Sequence, residues 1–173
     1  ELDAVILTHA HLDHCGLLPK LVKEGFTGRV YCTEATAEIA EIVLADSGKI
    51  QEEDAEYKIK RHKRAGYTPP RPVEPLYTQE EAQRCATLFS PVAYNVPVDI
   101  ADDIRVTFHE AGHIFGSSIV KFVVKADGQQ RTILFSGDLG RIGKPILKDP
   151  AVFDEAGDPP QSVVVRLGGG GKR

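Results

Sequence analysis

Thr8-His9-Ala10-His11-Leu12-Asp13-His14 packs three of the chain's six histidines and a carboxylate into a run of six residues from His9 to His14. On extended backbone, residues two apart point to the same side, so His9 and His11 offer imidazoles to one ion. Asp13 and His14 then fall to a second. A polar loop whose histidines happen to cluster is the competing reading, but unpaired imidazoles and carboxylates are costly to bury. The run therefore reads as a metal site, with room for two ions. Before it, Asp3-Ala-Val-Ile-Leu-Thr8 reads as a short buried strand; after it, Leu12 to Glu24 reads as a helix. The ligands thus sit where a strand's end meets a helix, a rigid place to fix their geometry.

Outward from this point, Leu17, Leu18, Leu21 and Val22 recur at helical spacing, Gly25 stops the helix, and Arg29-Val-Tyr-Cys-Thr33 supplies a strand. A β-α-β pattern implies parallel strands with a helix on one face. Thr33 or Thr36 caps a helix to about Asp46, with Ile39, Ile42 and Val43 on its buried side. A second, more polar helix is expected from Lys49 to Arg64, acidic in its first half and basic in its second, as a helix dipole favours. Pro69-Pro-Arg-Pro72 forces an extended connection. Glu80 to Phe89 reads as helical. After Pro91 the chain turns to strand at Ile104–Phe108, Ser118–Val124 and Arg131–Phe135, with a hairpin turn at Ala126-Asp-Gly-Gln129. A β-α-β start and an antiparallel end suggest a mixed sheet with helices outside.

With 173 residues, 42% of them apolar, the chain suffices for one globular domain with a core. A net charge of −4 gives no global attraction to polyanions, so nucleic-acid contact needs a local basic patch. Three cysteines, Cys15, Cys32 and Cys85, lie far apart without a Cys-x-x-Cys pair, which indicates neither a disulfide framework nor a thiolate zinc site. A reducing cytoplasm is the expected compartment. No apolar run approaches roughly 18 residues and no leader pattern is seen, so no membrane association is expected. Without methionine, and opening inside the lead-in to a strand, the sequence reads as a piece of a longer protein. Ser162-Val-Val-Val-Arg166 reads as a strand before the linker-like Leu167-Gly-Gly-Gly-Gly-Lys-Arg173.

Two further segments suit the metal reading. His113 lies in Glu110-Ala-Gly-His-Ile-Phe-Gly-Ser-Ser118, a glycine-flanked loop before a strand. Asp138 lies in Phe135-Ser-Gly-Asp-Leu-Gly140 at another strand's end. A third imidazole completes a three-histidine set, and a carboxylate can bridge two ions. Either segment alone reads as turn chemistry; with the first run they point to one site.

In this order, His9-x-His11-x-Asp13-His14, Gly112-His113 and Gly137-Asp138 resemble the second, third and fourth motifs of the metallo-β-lactamase superfamily. Thr8 to Pro19, Ala111-Gly-His-Ile-Phe-Gly-Ser-Ser118, Phe135 to Arg141 with Lys144-Pro-Ile-Leu147, and Asp46 to Glu56 with Pro75-Leu-Tyr-Thr78 resemble its β-CASP branch of RNA-processing nucleases. The resemblance spans roughly residues 3 to 153. It implies an α/β fold, the αββα sandwich, here incomplete because the N-terminal strands and the β-CASP cap are missing. The partial domain would cover residues 1–166 and a disordered glycine-rich tail 167–173. It implies a zinc-dependent ribonuclease that hydrolyses single-stranded RNA with a metal-bridging hydroxide, and a homodimer of the intact protein. His9, His11 and His113 would hold one zinc. Asp13, His14 and Asp138 would hold the other, with Asp138 bridging, and Asp13, His14 and Asp138 would serve catalysis. Without the cap's histidines, this chain is expected to hold one zinc rather than two and to have little activity alone. A hydrolase of thioesters or lactones, and a non-catalytic homologue that binds metal or a partner, are the alternatives.

Three other residues carry weaker readings. His109 is either an orienting partner of a ligand or an ordinary strand-end histidine. Cys15 is a small packing residue or a ligand. His62, among Lys60, Arg61, Lys63 and Arg64, belongs either to a solvated helix face or to a phosphate-binding ridge.

Overall fold

A computed structural model describes residues 2–153 and 162–165. Ala4–Ile6 (β1), Arg29–Thr33 (β2) and Phe89–Val92 (β3) form a parallel three-stranded sheet. Val98–Ala101 (β4), Ile104–Glu110 (β5), Ser118–Ala126 (β6) and Gln129–Phe135 (β7) form an antiparallel meander, which Ser162–Val165 (β8) extends by pairing parallel to β7. The mixed-sheet expectation is thus corrected to two sheets. Val106, Phe108 and Val120 of the second sheet pack against Ile6, Tyr31 and Val92 of the first, so the sheets meet face to face. The helices Leu12–Cys15 (α1), Leu18–Lys23 (α2), Glu34–Arg64 (α3) and Gln79–Ala86 (α4) supply the rest of the first sheet's core through residues such as Cys15, Leu18, Ala40, Leu44 and Cys85. This is an α/β architecture with the layers of an incomplete αββα sandwich. Residues 167–173, expected to be a disordered tail, lie outside the described residues.

The helical expectations need three corrections. Leu12 to Glu24 is two helices, because Pro19 has no N–H to give to Cys15 and its ring would strike that carbonyl; the chain restarts with Pro19 in the first turn of α2. The two helices expected on either side of Ser47-Gly48 are one helix of 31 residues. A glycine inside a helix costs about 1 kcal/mol relative to alanine, and here the lack of a side chain admits the start of α4: a Cβ on Gly48 would come within 2.8 Å of the Thr78 and Gln79 backbone. The same junction is bonded by Tyr77 Oη donating to Ser47 Oγ (2.9 Å), Leu76 N–H to Gln51 Oε1 (3.0 Å) and Gln79 N–H to Glu52 Oε2 (2.9 Å). Finally, α4 stops at Ala86 rather than Phe89, since Phe89 to Val92 pair with Val30 to Thr33 as β3.

Two caps set where the helices begin. Thr33 accepts from the Thr36 N–H at 3.3 Å, which settles which of the two threonines starts α3. Thr78 and Glu81 form a reciprocal capping box on α4, at 3.1 and 2.9 Å. Strand β4 was not legible from periodicity: its four residues, Val-Asp-Ile-Ala, carry a register shift against β5 between Asp99 and Ala101.

Candidate metal centre

Strand β1 is shorter than its apolar run, and the chain leaves it in a loop that carries the ligands over the edge of the sheet. Leu7 N–H still bonds Tyr31 O at 2.9 Å; at Thr8 the carbonyl accepts both the backbone N–H and the hydroxyl of Ser118, each at 2.9 Å. That crossing ties the loop to the first residue of β6 in the other sheet. His11 then stands at the N-cap of α1, its carbonyl accepting from His14 and Cys15, and Asp13 and His14 lie on the helix's single turn.

The loop of His113 is closed on itself. Ala111 N–H bonds Ser117 O at 3.1 Å, and Ser117 Oγ accepts from the N–H groups of His113 (3.0 Å) and Ile114 (3.2 Å). Gly116 turns with φ +82°, and its carbonyl receives the hydroxyls of Thr33 (2.6 Å) and Thr36 (2.8 Å) at the start of α3. A Cβ there would lie within 2.7 Å of Thr36 Oγ1, so both the conformation and the approach call for glycine. Gly137, at φ +53°, places Asp138 just beyond β7 while passing close to Thr8.

These supports bring His9, His11, His113 and Asp138 together, with one ligand atom from each lying within 4.8 Å of all the others. His9 Nε2 is 3.1 Å from His11 Nδ1, which is 3.2 Å from His113 Nε2. The Asp138 carboxylate looks two ways. Its Oδ2 lies 3.5 Å from His113 Nε2 and 3.9 Å from His9 Nε2, while its Oδ1 lies 3.7 Å from His14 Nε2. Asp13 is 3.7 Å from the same His14 nitrogen and is 75% exposed, whereas His9 is fully buried. Burial, and then the neighbouring His14 and His11, push the His9 pKa down to about 4 against the opposing pull of Asp138. Burial and His11 likewise lower that of His113. Imidazoles held neutral have free lone pairs, as metal ligation requires. Three imidazoles whose nitrogens approach one another at 3.1 and 3.2 Å, with a carboxylate oxygen 3.5 and 3.9 Å from two of them, form a donor set that fits a divalent cation.

The other readings divide. Cys15 is buried beneath the loop; its thiol points to Ala10 O at 3.5 Å and burial raises its pKa to about 11, so it packs rather than ligates. His109 pairs through Nδ1 with Asn95 Oδ1 at 2.8 Å and its ring meets Phe153, which places it on the Asn95 side and outside the ligand group. His62 stands on α3 against Tyr67. The supporting residues Thr8, Thr36 and Ser117 were not foreseen. Ser117, four residues after His113 in a glycine-flanked loop, carried the one available signal, since serine hydroxyls commonly cap nearby backbone N–H groups.

With that geometry in view, residues 1–164 match the model of the metallo-beta-lactamase superfamily. The chain belongs to this superfamily. It is 38% identical over 152 residues to "Ribonuclease TTHA0252" of Thermus thermophilus, covering 88% of this chain and 29% of that protein. It is 38% identical over 154 residues to "Transcription termination factor FttA" of Methanosarcina mazei and 36% identical over 152 residues to the protein of the same name from Methanococcus maripaludis, in each case covering 88% of this chain and 21% of the relative. The chain therefore spans less than a third of the length of these relatives. Among solved structures, Rm3 metallo-beta-lactamase is similar at a TM-score of 0.47 and 14% identity, over 85% of this chain and 45% of that one. No described helix is long and apolar enough to cross a membrane.

Proposed function

We propose that this superfamily chain is the metal-binding part of a zinc-dependent ribonuclease of the β-CASP type, acting on single-stranded RNA. The observation that carries the two-ion reading is the pair of Asp138 oxygens, one turned to His9 and His113 and the other to His14. His9, His11 and His113 would hold one zinc, and Asp13, His14 and Asp138 the other. Nitrogens bound tetrahedrally to zinc at roughly 2.0–2.1 Å lie about 3.3 Å apart, close to the 3.1 and 3.2 Å between these imidazole nitrogens. Three imidazoles on one ion would leave a fourth tetrahedral position for water, as in catalytic rather than structural zinc sites.

Zinc bound there supplies acidified water and stabilises charge on phosphoryl oxygens. The chain's own residues supply the rest. Buried His9 excludes water from one wall, and the closed loop around Ser117 keeps His113 from swinging away. Asp13, exposed at the mouth, is placed to accept a proton and to orient the attacking water. The names of the relatives, a ribonuclease and transcription termination factors, favour RNA over thioester or lactone substrates.

The test has two arms. Elemental analysis of the purified chain should find at least about one equivalent of zinc, as three imidazoles and water suffice for one tetrahedral ion. Labelled single-stranded RNA, incubated with the sequence extended to the length of its relatives, should be cleaved with zinc and left intact by Asp138→Asn. A folded chain that takes up no zinc, or cleavage that survives Asp138→Asn, overturns the proposal.

A further inference from the structure

The far end of α3 is chemically unlike the rest of this acidic chain. From Tyr57 to Val73 there are six lysines and arginines (Lys58, Lys60, Arg61, Lys63, Arg64 and Arg71) and no aspartate or glutamate. Tyr57, Lys60, Arg61 and Arg64 follow one another at i, i+3, i+4 and i+7, which puts them on one helix face. With Ala65 they line a groove of about 370 Å³. Tyr57 stands 66% exposed at its head. A second tyrosine beyond the last turn, Tyr67, packs on the His62 imidazole, centroids 4.9 Å apart, and so lies off this face.

Favourable contact with the helix dipole accounts for one or two cations in a last turn. It does not account for this many, because like charges three and four residues apart repel. Nor are most of them neutralised: Lys60 pairs with Glu56 at 3.1 Å, while the side chains of Lys58, Arg61, Lys63 and Arg64 make no hydrogen bond or ion pair among the described residues. A stripe of cations in which Arg61 and Arg64 are unpaired, with the exposed Tyr57 ring at its head, is complementary to a strand that presents phosphates along its backbone and unpaired bases beside it. Duplexes hide their bases, so the exposed Tyr57 ring favours a single strand.

We infer that the face of α3 formed by Tyr57, Lys60, Arg61 and Arg64 binds the backbone of single-stranded RNA, with a base stacked on Tyr57. The inference rests on RNA being the substrate class. It adds a second contact for that substrate, remote from the metal: α3 starts at the His113 loop, and a helix of 31 residues spans about 46 Å. RNA held here is positioned, not cut.

The test measures binding of a fluorescein-labelled oligouridylate by the 173-residue chain, in chelator so that no cleavage occurs. Lys60→Ala/Arg61→Ala/Arg64→Ala should weaken binding at least about tenfold at low salt and make the dependence of log affinity on log salt shallower by about 2. Tyr57→Ala should weaken oligouridylate binding about fivefold or more and leave binding of duplex RNA unchanged. Lys60→Arg should bind as the wild type does, and melting curves should confirm that each variant is folded. Unchanged affinity in the triple variant overturns the inference. So does polyglutamate competing as well as oligouridylate with Tyr57→Ala neutral, which would mark an acidic-protein surface instead. Because these losses are read without metal, they stand or fall separately from zinc-dependent cleavage.

Discussion

His9 and Asp13 lie four residues apart in one motif, yet their surroundings assign them different work. His9 is fully buried among three other imidazoles, and Asp13 is open to water beside His14 alone. Loss of an outer partner of a metal ligand costs roughly 10- to 100-fold in affinity, so His9→Ala should lower the affinity for the zinc proposed at His9, His11 and His113 at least that much. Asp13→Ala should leave the same ion nearly untouched. Competition with a chromophoric chelator separates the two; equal losses would mean that Asp13 serves the first ion. At this scale much was legible, since residue types that ligate metal stood next to one another in sequence. What holds them was not: the Ser118–Thr8 and Thr36–Gly116 bonds join residues 110 and 80 positions apart, and no local pattern announces such pairs.

Two helices are expected on either side of Ser47-Gly48, and the approach of α4 explains why the glycine sits inside one continuous α3. Gly48→Ala tests this directly. In an isolated helix the change would stabilise by about 1 kcal/mol, but here the added carbon meets backbone at 2.8 Å, and overpacking costs typically about 1–3 kcal/mol. Clash should win, with net destabilisation in urea and loosened amide protection in α4. The capping box of α4 gives a pH-dependent companion. Burial pushes the Glu81 carboxyl up, but the Thr78 N–H and the Lys23 ammonium outweigh it and hold its pKa below the usual carboxylate range. A folded value below the unfolded one means stability fully present above pH ~4.3 and lost as pH falls through the folded value. Wild type should therefore exceed Glu81→Gln by up to about 1 kcal/mol at pH 7, and the gap should close toward pH 3. A gap independent of pH in urea titrations would remove the charge from the account.

Periodicity located most strands but left their order open, and order is what divides the molecule into two sheets rather than one. Nothing in the apolar alternation of Phe89–Val92 says that it joins β2, or that Ser162–Val165 joins β7. The candidate ligands are shared across that division: His9 and His11 follow the first sheet's β1, whereas His113 and Asp138 follow strands of the second. Zinc at 100 times its dissociation constant should thus raise stability by about 2.7 kcal/mol, or roughly 6–10 °C in melting temperature for a chain of this size. A chelator should reverse the rise, and Asp138→Ala should shrink it. The crossing bonds of Thr8 to Ser118 and of Thr33 and Thr36 to Gly116 add a temporal consequence. They act as rivets over a seam, closing contacts of long sequence separation that form late in folding. An ion seated on that seam should leave the refolding rate alone and slow the unfolding rate. For this molecule a bound metal would work as a latch: its lifetime in the folded state would be set by how often the seam opens.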